Sequence, residues 1–294
     1  MKLSIVTINY NNAEGLRKTM ESVLAQTYTE IEYIIVDGAS TDGSVDVIRE
    51  LATRPTIKWV SEKDTGIYNA MNKGIRIATG EYIQILNSGD ILAADDVTER
   101  MFQAMGYGQW AIDNETNRQS PIAYRPQIPI FYGNMIKEYP DGRRMVDRCQ
   151  AKDYTPESFY YFYRGTLNHD CAYIRRDLFE KYGLYNEEMK ICSDWEWYVR
   201  AIVLGGEKTV YTNIDVTVFD MTGISESNGK NKDIILKERR EYLESILPAA
   251  VLRDYDIYSL PIEQYRRLKK YHLWGVVYFV ERVLFKLEKW FKRL

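Results

Sequence analysis

Polar and acidic side chains follow four predicted strands in the first hundred residues, each at the point where a strand ends. The residues at these four places that can bind a ligand are Thr7, Asn9, Asp37, Asp64, Asn87 and Asp90. Such side chains also cap helices and form turns, so none of them alone indicates a site. Because ligands of open parallel sheets bind beyond the carboxyl ends of the strands, four such ends together predict a polar site.

The glycine-rich patterns that bind phosphate directly are missing from this part of the chain. Neither GxGxxG nor GxxxxGK[ST] occurs, which argues against a nicotinamide dehydrogenase and a P-loop enzyme. A nucleotide diphosphate at this edge would need another partner for its charge. A divalent ion that is held by a carboxylate, with the phosphates completing its shell, would serve.

Strand and helix signals alternate through the segment that carries these residues. Short apolar runs predict strands at 3–8, 31–36, 57–60 and 82–86. Apolar residues at helical spacing predict helices between them, including 44–51 and 67–78. This order predicts an α/β fold with a mostly parallel central sheet and helices on both faces.

The composition is that of a folded globular protein with 294 residues, 45% of them hydrophobic and 28% charged. This length suits one large domain or two small ones. The net charge of −3 and the sequence pI of about 5.7 argue against a general nucleic-acid binder. The sequence shows neither a signal peptide nor a membrane-spanning run, so we expect a cytoplasmic protein.

Five motifs in a fixed order carry a resemblance to a known family. They are SIVTINYNN (4–12), VDGASTDGS (36–44), SEKDTGIYNAMNKGI (61–75), ILNSGD (85–90) and NHDCAYIRRDLFEKYGLYNEEMKICSDWEWYVRA (168–201). Together they resemble the family 2 glycosyltransferases, and within them the bacterial enzymes that build capsule, O-antigen and exopolysaccharide. The resemblance implies a GT-A fold, the Rossmann-like fold of nucleotide-diphospho-sugar transferases.

The resemblance also implies an organisation of the chain in three parts. Residues 1–105 would form the half that binds the nucleotide-sugar donor. Residues 106–225 would form the acceptor-binding and catalytic half of the same GT-A domain. Residues 226–294 lie outside the resemblance, and their own sequence pattern, described below, predicts a C-terminal amphipathic helical extension that associates with a membrane.

In the donor half, the resemblance assigns roles to individual positions. Thr7 and Asn9 would lie beside the nucleotide, and Asp37 would accept a hydrogen bond from an N–H of the base. Asp64 would lie near the base or the ribose. Asp90 belongs to the family's acidic metal-binding motif and would bind Mn²⁺ or Mg²⁺.

The metal-binding motif departs from the usual family pattern. The common form carries two or three aspartates, whereas Asn87-Ser88-Gly89-Asp90 leaves Asp90 as its only carboxylate. We therefore expect the metal to bind together with the nucleotide sugar. The alternative is that Asp90 is simply a turn or helix-initiating aspartate.

In the acceptor half, Asp194 matches the family's general base. A positioned carboxylate can remove the proton of a sugar hydroxyl, which is otherwise a poor nucleophile. The family usually has Glu-Asp at this place, whereas this chain has Ser193-Asp194. The alternative is that Asp194 only caps its helix.

Three further residues are candidates for the acceptor or diphosphate side. His169 would contact the diphosphate or the acceptor or position Asp194, and a purely structural role is equally open. Asn134 would line the sugar pocket. Trp195 would stack on an acceptor sugar, and packing in the core is the alternative.

The C-terminal tail combines an apolar stripe with basic charge. Residues 266–294 contain nine Lys or Arg and two Glu, a net charge of +7, while the rest of the chain carries −10. Apolar residues from Val276 to Leu294 recur every three or four positions, as on one face of a helix. This pattern predicts a helix on the inner face of an anionic membrane. Packing on the chain's own body or in a homodimer is the alternative.

These observations predict an inverting, metal-assisted glycosyltransferase. It would move a hexosyl or N-acetylhexosaminyl group from a nucleotide diphosphate sugar, with UDP preferred, to a glycan or lipid-diphosphate-linked acceptor. A sugar nucleotidyltransferase would need a glycine-rich and basic loop after the first strand, where this chain has Asn9-Tyr10-Asn11-Asn12. A non-catalytic binding or scaffold subunit of a polysaccharide assembly complex is the other alternative.

Overall fold

The structure, a computed structural model, describes residues 1–106, 110–112, 119–121, 128–149, 156–221 and 231–291. The chain divides into two compact units, Met1–Arg239 and Arg240–Leu294. The expected boundary at 225–226 lies outside the described residues.

The described residues of the first unit form a mixed α/β structure. Its strands are β1 (Leu3–Asn9), β2 (Ile31–Asp37), β3 (Ile57–Ser61), β4 (Tyr82–Ile85), β5 (Ile91–Leu92), β6 (Trp110–Ile112), β7 (Gln119–Pro121), β8 (Ile130–Glu138), β9 (Arg144–Asp147), β10 (Ala172–Arg175) and β11 (Thr209–Asp220). Its helices are α1 (Ala13–Leu24), α2 (Ser44–Leu51), α3 (Ile67–Ile77), α4 (Val97–Ala104), α5 (Phe159–Arg164), α6 (Asp177–Tyr182) and α7 (Ser193–Tyr198), which continues as a π-helical segment (Val199–Leu204). Helix α8 (Lys232–Ile246) begins in this unit.

The main sheet runs in the order β3-β2-β1-β4-β10-β8-β11-β5, and β9 pairs with β8 at its side. Strands β3, β2, β1 and β4 are parallel, as predicted, whereas β10 is antiparallel to both of its neighbours. In this register Asn9 lies opposite Asp37, which in turn lies opposite Ser61. The carboxyl ends of three strands therefore meet at one edge.

The centre of the sheet is covered on both faces, because β1 is buried at all seven positions. Helix α3 packs closely on this strand at Gly74, where a Cβ atom would lie only 2.2 Å from Cγ1 of Val6. This close approach needs glycine. It brings the start of α3 to the edge where the strands end.

An aromatic core supports the loop that leads into α7. Phe179 and Trp197 have ring centroids 4.7 Å apart, and Tyr185 packs edge-on against Phe179 at 5.7 Å. Trp197 Nε1 donates a hydrogen bond to the carbonyl of Gly183 at 2.8 Å. Helix α7 is thereby held by large buried rings on one side.

The segment 106–129 is described only in part. Its described residues include β6 and β7, which pair as a short antiparallel hairpin. The rest of the predicted acceptor region lies partly outside the described residues.

The second unit contains the end of α8, then α9 (Ala249–Lys270) and α10 (Trp274–Phe291). Within it, Arg240 Nη1 donates to both carboxylate oxygens of Asp256, at 3.1 and 2.8 Å. Several apolar side chains of α10 are exposed, with Phe279 67% and Val276 60% accessible. Among the described helices, none is both long and apolar enough to cross a membrane.

Candidate active site

The ends of β1, β2 and β3 meet around the buried carboxylate of Asp37. Asn9 Nδ2 donates to Asp37 Oδ1 at 2.8 Å. The other oxygen, Oδ2, accepts from the Ser40 amide at 3.0 Å and the Ser61 hydroxyl at 2.6 Å. Burial by itself raises the pKa of Asp37, but these hydrogen bonds outweigh it and lower the pKa. An ionised Asp37 therefore holds the loops at this edge together.

Asp64 and Tyr10 both lie against Gly38, the residue that follows Asp37. A Cβ atom at Gly38 would be 2.5 Å from Asp64 Oδ2 and 3.1 Å from Tyr10 Cδ2. The Tyr10 side chain is 68% exposed. The structure thus brings Asp64 beside Asp37, and it adds an exposed ring that the sequence analysis did not select, although Tyr10 follows directly after Asn9.

Thr7 differs from its expected position beside the nucleotide. It is fully buried, and its hydroxyl accepts a hydrogen bond from the Tyr33 hydroxyl at 3.0 Å. Thr7 lies two residues before the end of β1. Its side chain therefore supports the sheet under the site and does not face a ligand. This corrects the expectation for Thr7.

Asp90 is buried next to two further carboxyl groups. Its Oδ1 accepts the backbone N–H of Asp220 at 3.0 Å. Burial, reinforced by the negative charge of Asp170, raises the pKa of Asp90 well above its ordinary value. Asp170 is itself buried, and its Oδ2 accepts from the Thr217 hydroxyl at 2.6 Å. The fold thus adds acidic neighbours that lie 80 and 130 residues away in the chain.

Gly89 shows how closely β11 approaches the turn at 87–90. Its φ of +109° lies in the region that favours glycine, and a Cβ atom there would be 3.7 Å from Asp220 Oδ2. The sequence analysis did not select Asp220, which is the last residue of β11 and lies far from this motif in the chain. Asp220 adds acidic charge beside the turn that ends in Asp90.

These residues suit a divalent ion that brings further ligands with it. In the part of the chain that the structure describes, no three His, Cys, Asp or Glu side chains are arranged to hold a metal. Asn87 Oδ1, however, is buried with no hydrogen-bond partner among the described residues. A cation beside Asp90 would also relieve the charge that raises its pKa. Oxygen ligands of this kind fit Mg²⁺ or Mn²⁺ when phosphates complete the shell.

Asp194 opens α7 and is the centre of a second hydrogen-bonded group. Its Oδ2 lies 3.2 Å from His169 Nδ1, and its Oδ1 accepts from the Tyr68 hydroxyl at 3.1 Å. Burial alone would raise the pKa of Asp194, but the hydrogen bond and charge of His169 outweigh it, so the pKa is lowered. The side chain keeps 15% of its surface accessible. Asp194 is therefore an ionised carboxylate with a small part of its side chain exposed.

His169 connects this group to the turn at 87–90. Its Nε2 lies 3.2 Å from Asn87 Nδ2, while its Nδ1 faces Asp194. A carboxylate can only accept, so Nδ1 carries a proton that it donates to Asp194. Burial lowers the pKa of His169, but the carboxylates of Asp194, Asp170 and Asp90 outweigh it and raise the pKa. The structure therefore brings His169 and Asp194 together, as one of the sequence alternatives had it.

Tyr68 is a site residue that the sequence analysis missed. It lies within the motif at 61–75, but the spacing of the apolar residues there indicated only a helix. Its hydroxyl reaches the Ile191 carbonyl as well as Asp194, and burial raises the pKa of the phenol. Tyr68 therefore donates to Asp194 as a neutral hydroxyl group.

Two other candidates are enclosed within the protein. Trp195 is 1% exposed, and its Nε1 donates to the Phe162 carbonyl at 2.8 Å. It packs in the core, which corrects the expected stacking on an acceptor sugar. Asn134 is also buried; its Nδ2 donates to Asp215 at 2.8 Å and its Oδ1 accepts from Tyr211. Its side-chain amide therefore links β8 to β11 through hydrogen bonds.

Comparison with known proteins identifies the family. The sequence model described as glycosyl transferase family 2 matches residues 4–183, more than half of the chain. The chain belongs to glycosyl transferase family 2. It is therefore an enzyme of the class that transfers sugars.

Two mycobacterial relatives agree with this assignment. An uncharacterized glycosyltransferase of Mycobacterium tuberculosis is 29% identical over 227 residues, which are 76% of each chain. A PGL/p-HBAD biosynthesis glycosyltransferase of Mycobacterium bovis is 25% identical over 241 residues, 80% of this chain and 81% of its own length.

Solved structures confirm the GT-A architecture with its mostly parallel sheet. S. aureus TarS 1-349 in complex with UDP-GlcNAc has a TM-score of 0.60 at 16% identity, covering 93% of this chain and 78% of TarS 1-349. In the TarS 1-349 complex with UDP, the match spans 60% of that chain. The mannosyltransferase PcManGT of Pyrobaculum calidifontis, in complex with GDP-Man and Mn²⁺, has a TM-score of 0.51 at 19% identity. The match covers 74% of this chain and 56% of the PcManGT chain.

Proposed function

We propose that this chain is an inverting glycosyltransferase that uses a nucleotide diphosphate sugar, with UDP preferred. The observation that carries the proposal is the ionised, partly accessible Asp194, held between His169 and Tyr68. A single base that activates an acceptor hydroxyl leads to direct displacement at the anomeric carbon, and that displacement inverts its configuration. Family membership favours this enzyme over a non-catalytic scaffold subunit.

The nucleotide would bind at the edge where β1, β2 and β3 end. Asp64 and the Tyr10 ring would contact the base and ribose, above Asn9 and Asp37. The UDP and UDP-GlcNAc complexes of TarS support UDP, and the GDP-Man complex of PcManGT makes GDP the alternative.

Asp90 and the side-chain oxygen of Asn87, Oδ1, would hold Mn²⁺ or Mg²⁺ together with the donor diphosphate. When bound, such an ion supplies positive charge that stabilises the departing diphosphate. Asp194 would accept the proton of the acceptor hydroxyl as that hydroxyl attacks. His169 would orient Asp194 through Nδ1–H and stay linked to Asn87 through Nε2.

The acceptor would be a glycan or a lipid-diphosphate-linked sugar in surface polysaccharide biosynthesis, such as capsule or O-antigen. The C-terminal residues support a lipid-linked acceptor, because α10 exposes Val276, Phe279 and Leu284 within a segment of net charge +7. An apolar helix surface with basic charge fits an anionic lipid surface. We therefore propose that the enzyme works at the inner face of the membrane.

Replacement of Asp194 by asparagine tests the assignment of the base. The amide keeps the size of the side chain but cannot accept the proton, so kcat should fall by about 10²- to 10⁴-fold. Titration of UDP should give an unchanged Kd. The control is Asp177→Asn, the same change at the start of α6, where the carboxylate pairs with Arg175 on the surface. Turnover near that of the unchanged protein in Asp194→Asn would refute the base.

Sedimentation with lipid vesicles tests the membrane proposal. The full chain should bind phosphatidylglycerol vesicles but not phosphatidylcholine vesicles, and Phe279→Asp should weaken that binding. The control is Tyr10→Asp, which changes an exposed aromatic side chain outside α10. A concentration-dependent dimer that Phe279→Asp dissociates, without vesicle binding, would instead assign this surface to a second copy of the chain.

A further inference from the structure

One carboxylate on α8 binds three consecutive backbone N–H groups just before α7. Glu238 Oε1 accepts from the Lys190 amide at 2.6 Å. Its Oε2 accepts from the amides of Ile191 and Cys192, at 3.1 and 3.0 Å. Consecutive N–H groups that converge in this way form a concave site for an anion. Here a side chain of the same unit fills that site.

The three amides belong to the segment that sets the start of α7. The Cys192 carbonyl accepts the Glu196 N–H at 2.9 Å, so Cys192 is the last residue before the helix. Asp194 follows two residues later, in the first turn. The direction of the 190–192 segment therefore decides where the Asp194 carboxylate lies.

The contacts around Glu238 hold α8 against this segment. Cys192 Sγ lies 3.8 Å from the Ile235 carbonyl, and the Arg239 guanidinium lies 5.1 Å from the Trp195 ring centroid. Glu238 is thus on the face of α8 that packs on the start of α7. The carboxylate has a fixed position from which to bind the amides.

A second contact holds the same segment from the opposite side. The Tyr68 hydroxyl, at the start of α3, binds the Ile191 carbonyl, while Glu238 binds the Ile191 amide. The peptide units on both sides of Ile191 are therefore anchored to different helices. Motion of Ile191 would break a hydrogen bond to one of them.

We propose that Glu238 is a positioning residue that holds Asp194 in its catalytic orientation through the 190–192 segment. The proposal rests on the proposed role of Asp194 as the base. In Glu238→Gln, the amide NH₂ would face one of the three N–H groups, and the negative charge that binds them would be lost. A displacement of about 1 Å at a catalytic group can cost about 10²-fold in rate. We expect kcat to fall by about 10- to 100-fold.

A double-mutant cycle tests this action through Asp194. The kcat of Glu238→Gln, Asp194→Asn and the double variant is measured beside UDP binding by titration. If Glu238 acts through the base, the double variant is as slow as Asp194→Asn alone, because residues that act as a unit are not additive. Glu241→Gln, an exposed glutamate on the same helix, is the matched control and should retain full turnover.

The results that would overturn the proposal are distinct. Full turnover of Glu238→Gln would overturn it, and so would the same fractional loss in the presence and absence of Asp194. A weakened Kd for UDP that accounts for the loss of rate would also overturn it. If Glu238→Gln does not fold, Glu238→Asp replaces it in the same cycle, since the shorter side chain keeps the charge but withdraws it from the amides.

The cycle also separates this proposal from the proposed function. Full turnover of Asp194→Asn would refute the base itself. An inactive Asp194→Asn beside a fully active Glu238→Gln would refute only the role of Glu238.

Discussion

Removal of the Tyr68 hydroxyl should change the pH at which the enzyme loses activity in acid. In the structure this hydroxyl donates to Asp194 Oδ1 at 3.1 Å and also reaches the Ile191 carbonyl. Donation to a carboxylate stabilises its ionised form and lowers its pKa. The Tyr68→Phe variant therefore raises the pKa of Asp194 while leaving the ring in place.

The size of this change follows from the hydrogen bond. A hydrogen bond to a charged group contributes roughly 1.5–3 kcal/mol. The Tyr68 proton is shared with a second acceptor, so the lower end of that range applies. Since about 1.4 kcal/mol corresponds to a tenfold change in proton affinity, the pKa of Asp194 should rise by about one.

The pH dependence of kcat/KM measures this directly, because its acid limb reports the ionisation of the base in the free enzyme. In Tyr68→Phe the acid limb should move to higher pH by about one unit. Tyr185→Phe is the control, since it removes a buried hydroxyl that has no hydrogen-bond partner among the described residues. An unchanged acid limb in Tyr68→Phe, or an equal shift in Tyr185→Phe, would refute the reasoning.

Three further predictions concern stability and metal binding. Burial opposes ionisation of Glu32, but hydrogen bonds from Lys58, Ser4 and Thr79 outweigh it and lower its pKa from 4.5 to about 2. This lowered pKa contributes ~3 kcal/mol of stability above pH 4.5 that is lost as the pH falls towards 2. Urea unfolding of Glu32→Gln should therefore show a loss of stability over this pH range that is ~3 kcal/mol smaller than in the unchanged protein, and an equal loss would contradict the lowered pKa. Gly74→Ala should lower the free energy of unfolding by about 1–3 kcal/mol in the same assay, because its Cβ would overlap Val6; an unchanged value would contradict the close packing of α3 on β1. Asp90→Asn should abolish the Mn²⁺-dependent part of the rise in Tm caused by UDP, and a full rise would exclude Asp90 as the metal ligand.

Local patterns were sufficient to predict most of the parallel strands and their helices. The bounds of α2 agree with the prediction, and those of β1 to β4 differ by only one residue. These elements were predictable because burial and helical periodicity depend on neighbours in the chain. The antiparallel insertion of β10 between β4 and β8 was not predicted, since strand order depends on contacts between distant segments.

The candidate site shows the same division. The sequence by itself determined the family and the sheet edge, and it predicted Asp90, His169 and Asp194 as site residues, because motif order and residue type carry that information. Only the tertiary structure decided that Thr7 and Trp195 are buried, and that Tyr68 and Glu238 hold the segment before Asp194. Tyr68 and Asp194 are separated by 126 residues, and Glu238 and Cys192 by 46. Contacts over such distances are set by the packing of helices on the sheet, and no local periodicity or spacing reports them.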